Sequence, residues 1–142
     1  MPESRLAVRS VLIVEDEDSI RESLAELFDV PGVVVTTAAD TATALSALRD
    51  GEFDVVVTDL RLAGKHDGGL QVMAATALLS PDAAVIALTA YPQEQNRLAA
   101  SRLGAAHFLE KPVDLLDIAA IAARNGVQSA LSLATTDQRT RE

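Results

Sequence analysis

Five short aliphatic runs recur along the chain: Val11–Val14, Val33–Val35, Asp54–Val57, Ala84–Leu88 and Ala106–Leu109. Most are continuously apolar rather than alternating. A strand with one wet face alternates, whereas a strand apolar throughout is covered on both faces, as in a parallel sheet. Between the runs lie longer stretches with helical spacing. Ile20, Leu24, Leu27 and Phe28 share one helical face, in a segment that Asp18 or Ser19 is placed to cap. Asp40 is placed to cap Thr41–Arg49, with Ala44, Leu45 and Leu48 inward and Gly51 just past its end. The pattern predicts further helices over Leu70–Leu79, Gln93–Leu103 and Val113–Arg124, stopped by Pro81, Gly104 and Gly126. Five such βα units imply right-handed crossovers and a parallel sheet with helices on both faces. Five strands favour the order 2-1-3-4-5, a flavodoxin-like, doubly wound three-layer sandwich.

The 142 residues suit one domain, and with aromatics at 3% its core must be built from Val, Leu, Ile and Ala. There is no cysteine, which excludes disulfides and thiolate metal sites. MPESRLAVRS has no apolar run like that of a signal peptide, and no segment approaches the ~18 apolar residues of a membrane span. A cytoplasmic location is the expectation. Acids outnumber bases 21 to 12 for a net charge of −9, so phosphate neutralisation is poor and direct nucleic-acid binding is not expected. The βα rhythm occupies residues 10–125. Residues 1–9 form an N-terminal extension and 126–142 a tail, expected to be a flexible segment or linker. Val127, Ala130, Leu131 and Ala134 have the spacing of one short amphipathic helix, and DQRTRE is expected to fray.

In a sheet of this kind ligands bind beyond the carboxyl ends of the strands, at the switch point between the first and third. The acids of VLIVEDEDSI, beginning with Glu15 and Asp16, follow the first strand. Asp59 ends the third in VVVTDLRL, Thr89 the fourth in VIALTAY, and Lys111 the fifth in HFLEKPV. Two carboxylates ~4 Å apart repel by roughly 4 kcal/mol at an effective dielectric of ~20. Acids crowded at a ligand-binding rim are poised for a hard cation, and Mg²⁺ suits one or two carboxylates plus phosphate oxygens. Each residue alone has an ordinary reading. Asp59 suits a turn cap, Thr89 a strand end and Lys111 an exposed surface. Glu17 and Asp18 read simply as helix-start acids. Convergence of all four groups on one rim is what lifts the pattern above those readings. His66 and His107 lack a partner at metal-ligand spacing and read as surface residues, as do the helix arginines Arg97 and Arg102.

An acidic pair, a lone Asp, a Thr and a Lys-Pro, each at its strand end, resemble the receiver domains of bacterial response regulators, the phosphoacceptor modules of two-component signalling. The resemblance covers residues 10 to about 124. It implies that Asp59 accepts a phosphoryl group from a sensor histidine kinase or phosphotransfer protein. It implies Asp16 as direct metal ligand, Glu15 acting through metal-bound water, and the backbone carbonyl of Arg61 as a further ligand, with Mg²⁺ the cofactor and Mn²⁺ a substitute. Lys111 resembles the lysine that pairs with a phosphoryl oxygen, in a cis Lys111-Pro112 unit. Thr89 resembles the switch hydroxyl and Phe108 the switch aromatic. Arg61, Ala90 and Tyr91 stand where the family tunes phosphate lifetime. Readout to a downstream protein or output domain is implied on the face of the fourth helix, fifth strand and fifth helix, with phosphorylation-dependent homodimers left open. Such a domain catalyses only its own phosphorylation and dephosphorylation.

Other classes fit less well. A flavodoxin wants a Ser/Thr/Gly-rich loop after the first strand, where EDED would repel a flavin phosphate. A haloacid-dehalogenase-type hydrolase wants a second aspartate where Arg61 stands. A non-phosphorylated adaptor stays open. Three departures from the family pattern stand out: Glu15 replaces the commoner Asp, Ala63 a proline, and GKHDGG lengthens the loop over residues 63–69. The glycines there suggest a more mobile loop.

Overall fold

The computed structural model describes residues 8–62 and 67–134. Within them strands and helices alternate as β1 (Arg9–Val14), α1 (Asp18–Leu27), β2 (Val33–Ala38), α2 (Thr41–Asp50), β3 (Val55–Asp59), α3 (Gly68–Leu79), β4 (Ala84–Thr89), α4 (Glu94–Arg102), β5 (Ala105–Glu110) and α5 (Leu115–Arg124). All neighbouring strands pair in parallel, in the order β2-β1-β3-β4-β5. The flavodoxin-like expectation holds.

The two sheet faces build two cores. On one, Val11, Ile13, Val57 and Ile86 meet Leu24 and Phe28 of the α1 segment and Ile118 and Ala122 of α5. On the other, Leu12, Val14, Val56 and Ala87 meet Leu48 of α2, Val72 and Met73 of α3 and Ala100 of α4. Consecutive residues of β1 therefore serve opposite cores, and Val11 to Val14 are all fully buried. Each such side chain contributes roughly 1.5–3 kcal/mol by leaving water. The edge strands depart from the expectation of two covered faces. Val34 of β2 stays 53% exposed, because an edge strand has a neighbour on one side only and the flanking helices reach it incompletely.

Local signals set several helix ends. Asp40 caps α2 by accepting from the Thr43 N–H at 2.8 Å. Asp114 does the same for α5 through the Leu116 N–H at 2.9 Å, which starts that helix two residues later than Val113. Gly104 and Gly126 follow α4 and α5 with φ of +95° and +83°, a left-handed conformation that glycine adopts without strain. The cap expected from Asp18 or Ser19 is not formed: Glu17 occupies the cap position without a side-chain cap bond, and Asp18 is the first helical residue. An acid in that turn interacts favourably with the helix dipole without capping it.

Two expectations about flexible parts change. Gly68 and Gly69, read as loop residues, are the buried first residues of α3. The rest of the lengthened loop, residues 63–66 with Ala63 and His66, lies outside the described residues, as do residues 1–7 and the DQRTRE tail. The tail is not loose where it begins. Val127 is fully buried in the α1–α5 core, Leu131 packs against it, and residues 130–134 form a helical turn. Ser129 and Ser132 exchange bonds at its start, in the manner of a capping box.

Candidate functional site

The parallel register brings Glu15, Asp16, Asp59, Thr89 and Lys111 to one rim. Glu15 directly follows β1, and its N–H bonds the Ala38 carbonyl at 3.0 Å, so strand pairing continues one residue into the acids. Asp59 is the last residue of β3, paired with Leu88. Lys111 is aligned by its own N–H, which donates to the Thr89 carbonyl at 2.7 Å. The Lys111-Pro112 bond is cis.

Glu15, Asp16 and Asp59 each offer one carboxylate oxygen, and the three atoms lie within 4.8 Å of one another. The Lys111 ammonium sits among them, 2.6 Å from Asp59 Oδ2 and 2.8 Å from Glu15 Oε1. The second contact is a short ion pair to a fully buried carboxylate, and Oε1 has no further hydrogen-bond partner among the described residues. Glu15 Oε2 accepts from the Glu17 N–H at 3.0 Å, and Asp59 Oδ1 from the Arg61 N–H at 3.1 Å. Glu15 is fully buried, and Asp59 is 6% exposed. Asp16 faces solvent.

Burial pushes the Glu15 carboxyl above its ordinary value, against the pull of Lys111 and the Glu17 amide; the Asp59 charge adds to the rise. Burial alone would lower the Lys111 ammonium. Its bonds to Asp59 and Glu15 outweigh that, and Lys111 is held above its ordinary value. The rim is therefore a charge-dense site with more acids than its lysine neutralises. Three carboxylate oxygens this close together, one of them on a fully buried glutamate, fit a divalent cation.

Around this centre, Thr89 Oγ1 accepts from the Tyr91 N–H at 2.8 Å. The Arg61 guanidinium lies over the Tyr91 ring, 4.6 Å from its centroid, and both line a cavity of about 220 Å³ with Leu60, Thr89 and Asn96. Ala90 between them is exposed. Phe108 is half-buried on β5, under the Arg97 guanidinium. Arg97 is thus solvent-exposed as expected, yet stacked. Lys111 is not the exposed side chain that its place before a proline suggests, since only 16% of it meets solvent. Sequence reasoning missed Arg21, whose guanidinium bonds the Glu15 carbonyl at 2.9 Å and pairs with Asp18. Its spacing, three residues after an acid on a helix, was the available signal.

A flavodoxin-like sheet whose switch point holds three carboxylates around a lysine from the fifth strand end defines a class: α/β domains built to hold a divalent cation beside an acid. The response regulator receiver domain family matches residues 11–123. The chain is 37% identical over 123 residues to the transcriptional regulatory protein FixJ of Azorhizobium caulinodans, covering 87% of this chain and 54% of that protein. It is 35% identical to the regulatory protein AtoC of Escherichia coli, covering 89% of this chain and 26% of AtoC. A response regulator from Burkholderia pseudomallei, solved with a phosphorylated aspartic acid, a calcium ion and citrate, superposes with a TM-score of 0.72 at 26% identity, over 94% of this chain and 75% of that one. The chain belongs to the response regulator receiver domain family, the signalling domains of phosphorylation-based two-component systems. It spans about half of FixJ and a quarter of AtoC. Among the described residues no helix is long and apolar enough to cross a membrane.

Proposed function

We propose that Asp59 is the phosphoacceptor, in a Mg²⁺-dependent reaction with a sensor histidine kinase, a phosphotransfer protein or a small phosphodonor. The observation that carries this reading is the 2.6 Å contact between Lys111 Nζ and Asp59 Oδ2, inside a cluster of three acids. The phosphorylated aspartic acid of the Burkholderia relative supports it.

An Asp59 oxygen attacks phosphorus; the bond from phosphorus to the donor nitrogen or oxygen breaks, its electron pair leaves with the donor, and a mixed anhydride forms on Asp59. Phosphoryl transfer asks a protein for positioning and charge neutralisation more than for covalent chemistry. Glu15, Asp16, Asp59 and the Arg61 carbonyl would hold Mg²⁺. Bound there, the ion offsets the repulsion between an incoming dianion and three carboxylates. Mn²⁺ offers the same octahedral oxygen chemistry. Lys111 moves from carboxylate to phosphoryl oxygen with little travel, because it already lies between two acids. The Thr89 hydroxyl spends an acceptor site on the Tyr91 N–H and keeps its proton to donate to a phosphoryl oxygen. Thr89 moving inward makes room for Phe108, which shifts the α4-β5-α5 face toward a downstream protein, an output domain or a second copy. Arg61 and Tyr91, stacked over the rim, and Ala90 between Thr89 and Tyr91 screen water from the anhydride and set its lifetime.

Incubation with phosphoramidate and Mg²⁺ should add one phosphoryl mass to the native chain and none to Asp59→Asn, and chelator should abolish the gain. Full labelling of Asp59→Asn would overturn the assignment. Amide shifts on adding beryllofluoride should reach residues 89–112 and shrink in Thr89→Ala.

A further inference from the structure

Gly68 and Gly69 open α3, and the chemistry above leaves them without a role. Neither has a positive φ, so conformational freedom is not what keeps glycine there. In a helix glycine is a costlier choice than alanine. Space gives the reason. A Cβ on Gly69 would lie 2.0 Å from the Asp59 carbonyl oxygen, 2.5 Å from Leu60 Cα and 2.8 Å from the Asp59 carbonyl carbon. These are backbone atoms at a strand end and cannot swing aside. The Gly69 N–H donates to the Leu60 carbonyl at 2.9 Å, so the first turn of α3 is fastened to the end of β3 with no side chain between. The Thr58 hydroxyl donates to the same Asp59 carbonyl at 2.9 Å, and the Leu60 N–H donates to Leu88 of β4 at 2.9 Å. Backbone 59–60 is thus gripped by β4, by Thr58 and by the bare backbone of α3.

Gly68 differs in kind. A Cβ there would meet the Leu62 Cβ and the Thr41 Oγ1, each at 3.0 Å, and the Leu62 N at 3.4 Å. These ask for a shift of a few tenths of an ångström, part of which the Thr41 hydroxyl supplies by turning away, whereas the 2.0 Å overlap at Gly69 is with backbone. We infer that Gly69 is a positioning residue: its missing side chain seats α3 against the Asp59–Leu60 backbone, and that seat sets where the Asp59 carboxylate and the Arg61 carbonyl stand relative to Glu15, Asp16 and Lys111. The inference rests on Asp59 as the phosphoacceptor and names what holds it in place.

The test compares Gly69→Ala with Gly68→Ala in the full chain. Melting curves report folding, amide NMR titration with Mg²⁺ alone reports cation affinity, and mass gain with phosphoramidate at saturating Mg²⁺ reports the transfer step. Gly69→Ala should bind Mg²⁺ more weakly and transfer on the order of tenfold to a hundredfold more slowly, the scale of an ångström-level misplacement. Gly68→Ala should stay near the native values in both, whatever it loses in stability. A folded Gly69→Ala with native affinity and rate would overturn the inference, as would equal losses in both variants. Should Gly69→Ala fail to fold, the native chain decides. The Gly69 amide should shift with those of Asp59 and Arg61 as Mg²⁺ is added, and a Gly69 amide that stays still while they move would overturn it. Absence of labelling at Asp59 in the native chain would instead sink the phosphoacceptor reading, while the Mg²⁺ affinities of the two glycine variants would still decide this one.

Discussion

The Arg97 guanidinium lies 4.6 Å from the centroid of the Phe108 ring, joining α4 to β5 through a cation–π stack. Helix α4 is thinly buried: Ala100 is its one buried residue, and Leu98 is 45% exposed. Arg97→Ala should therefore loosen α4 more than it destabilises the domain. The expected loss is about 0.5 kcal/mol, the low end for an exposed pair, with faster amide exchange over residues 94–102. Exchange unchanged in α4 would mean that the stack contributes no attachment.

Lys111 lies between two buried acids, so its removal should leave uncompensated charge. Lys111→Met should destabilise the chelator-treated protein by roughly 3 kcal/mol in urea unfolding. Saturating Mg²⁺ should return a substantial part of that loss, because a divalent cation supplies the missing positive charge. A variant as stable as the native chain in chelator would mean that the acids are solvated rather than held by Lys111.

Glu15 is held above its ordinary value of 4.5 chiefly by burial. The folded state then binds its proton more tightly than the unfolded state does. The resulting stability is fully present below the unfolded value and is lost as pH rises through the folded one. Glu15→Gln removes this dependence while leaving Lys111 bonded to Asp59. In chelator, its stability advantage over the native chain should grow as pH rises from 4.5 to 7, and Mg²⁺ should stabilise it less than it stabilises the native chain. Melting curves at the two pH values check both. An advantage that shrinks with pH would contradict the sign derived from burial.

Val127 lies beyond the last long helix yet is fully buried against α1 and α5. Val127→Ala should cost roughly 1–2 kcal/mol through lost burial and the cavity left behind. A cost near zero would mean that the start of the tail detaches freely in solution.

The sequence alone determined the five βα units, the strand order and the identity of the rim acids, Thr89 and Lys111. The strand order follows from the rule for doubly wound sheets of five strands. The units and the rim residues follow from local signals: apolar runs, helical spacing, and the place of a polar residue at a strand end. Asp40 as a cap was legible for the same reason. What only the tertiary structure decided depends on distances between residues far apart in the chain. Lys111 and Asp59 are separated by 52 positions and meet at 2.6 Å. Nothing local says that Lys111 is enclosed or that Glu15 loses all contact with water. Gly68 and Gly69 looked like flexibility, because glycine reports missing bulk without saying whether the backbone needs freedom or a neighbour needs room. The carbonyl of Asp59, ten residues upstream, supplies the answer for Gly69. Val127 and Arg97 follow the same logic: a short apolar segment and an exposed arginine read as tail and surface until the elements they touch, α1 with α5 and the Phe108 ring on β5, are folded against them.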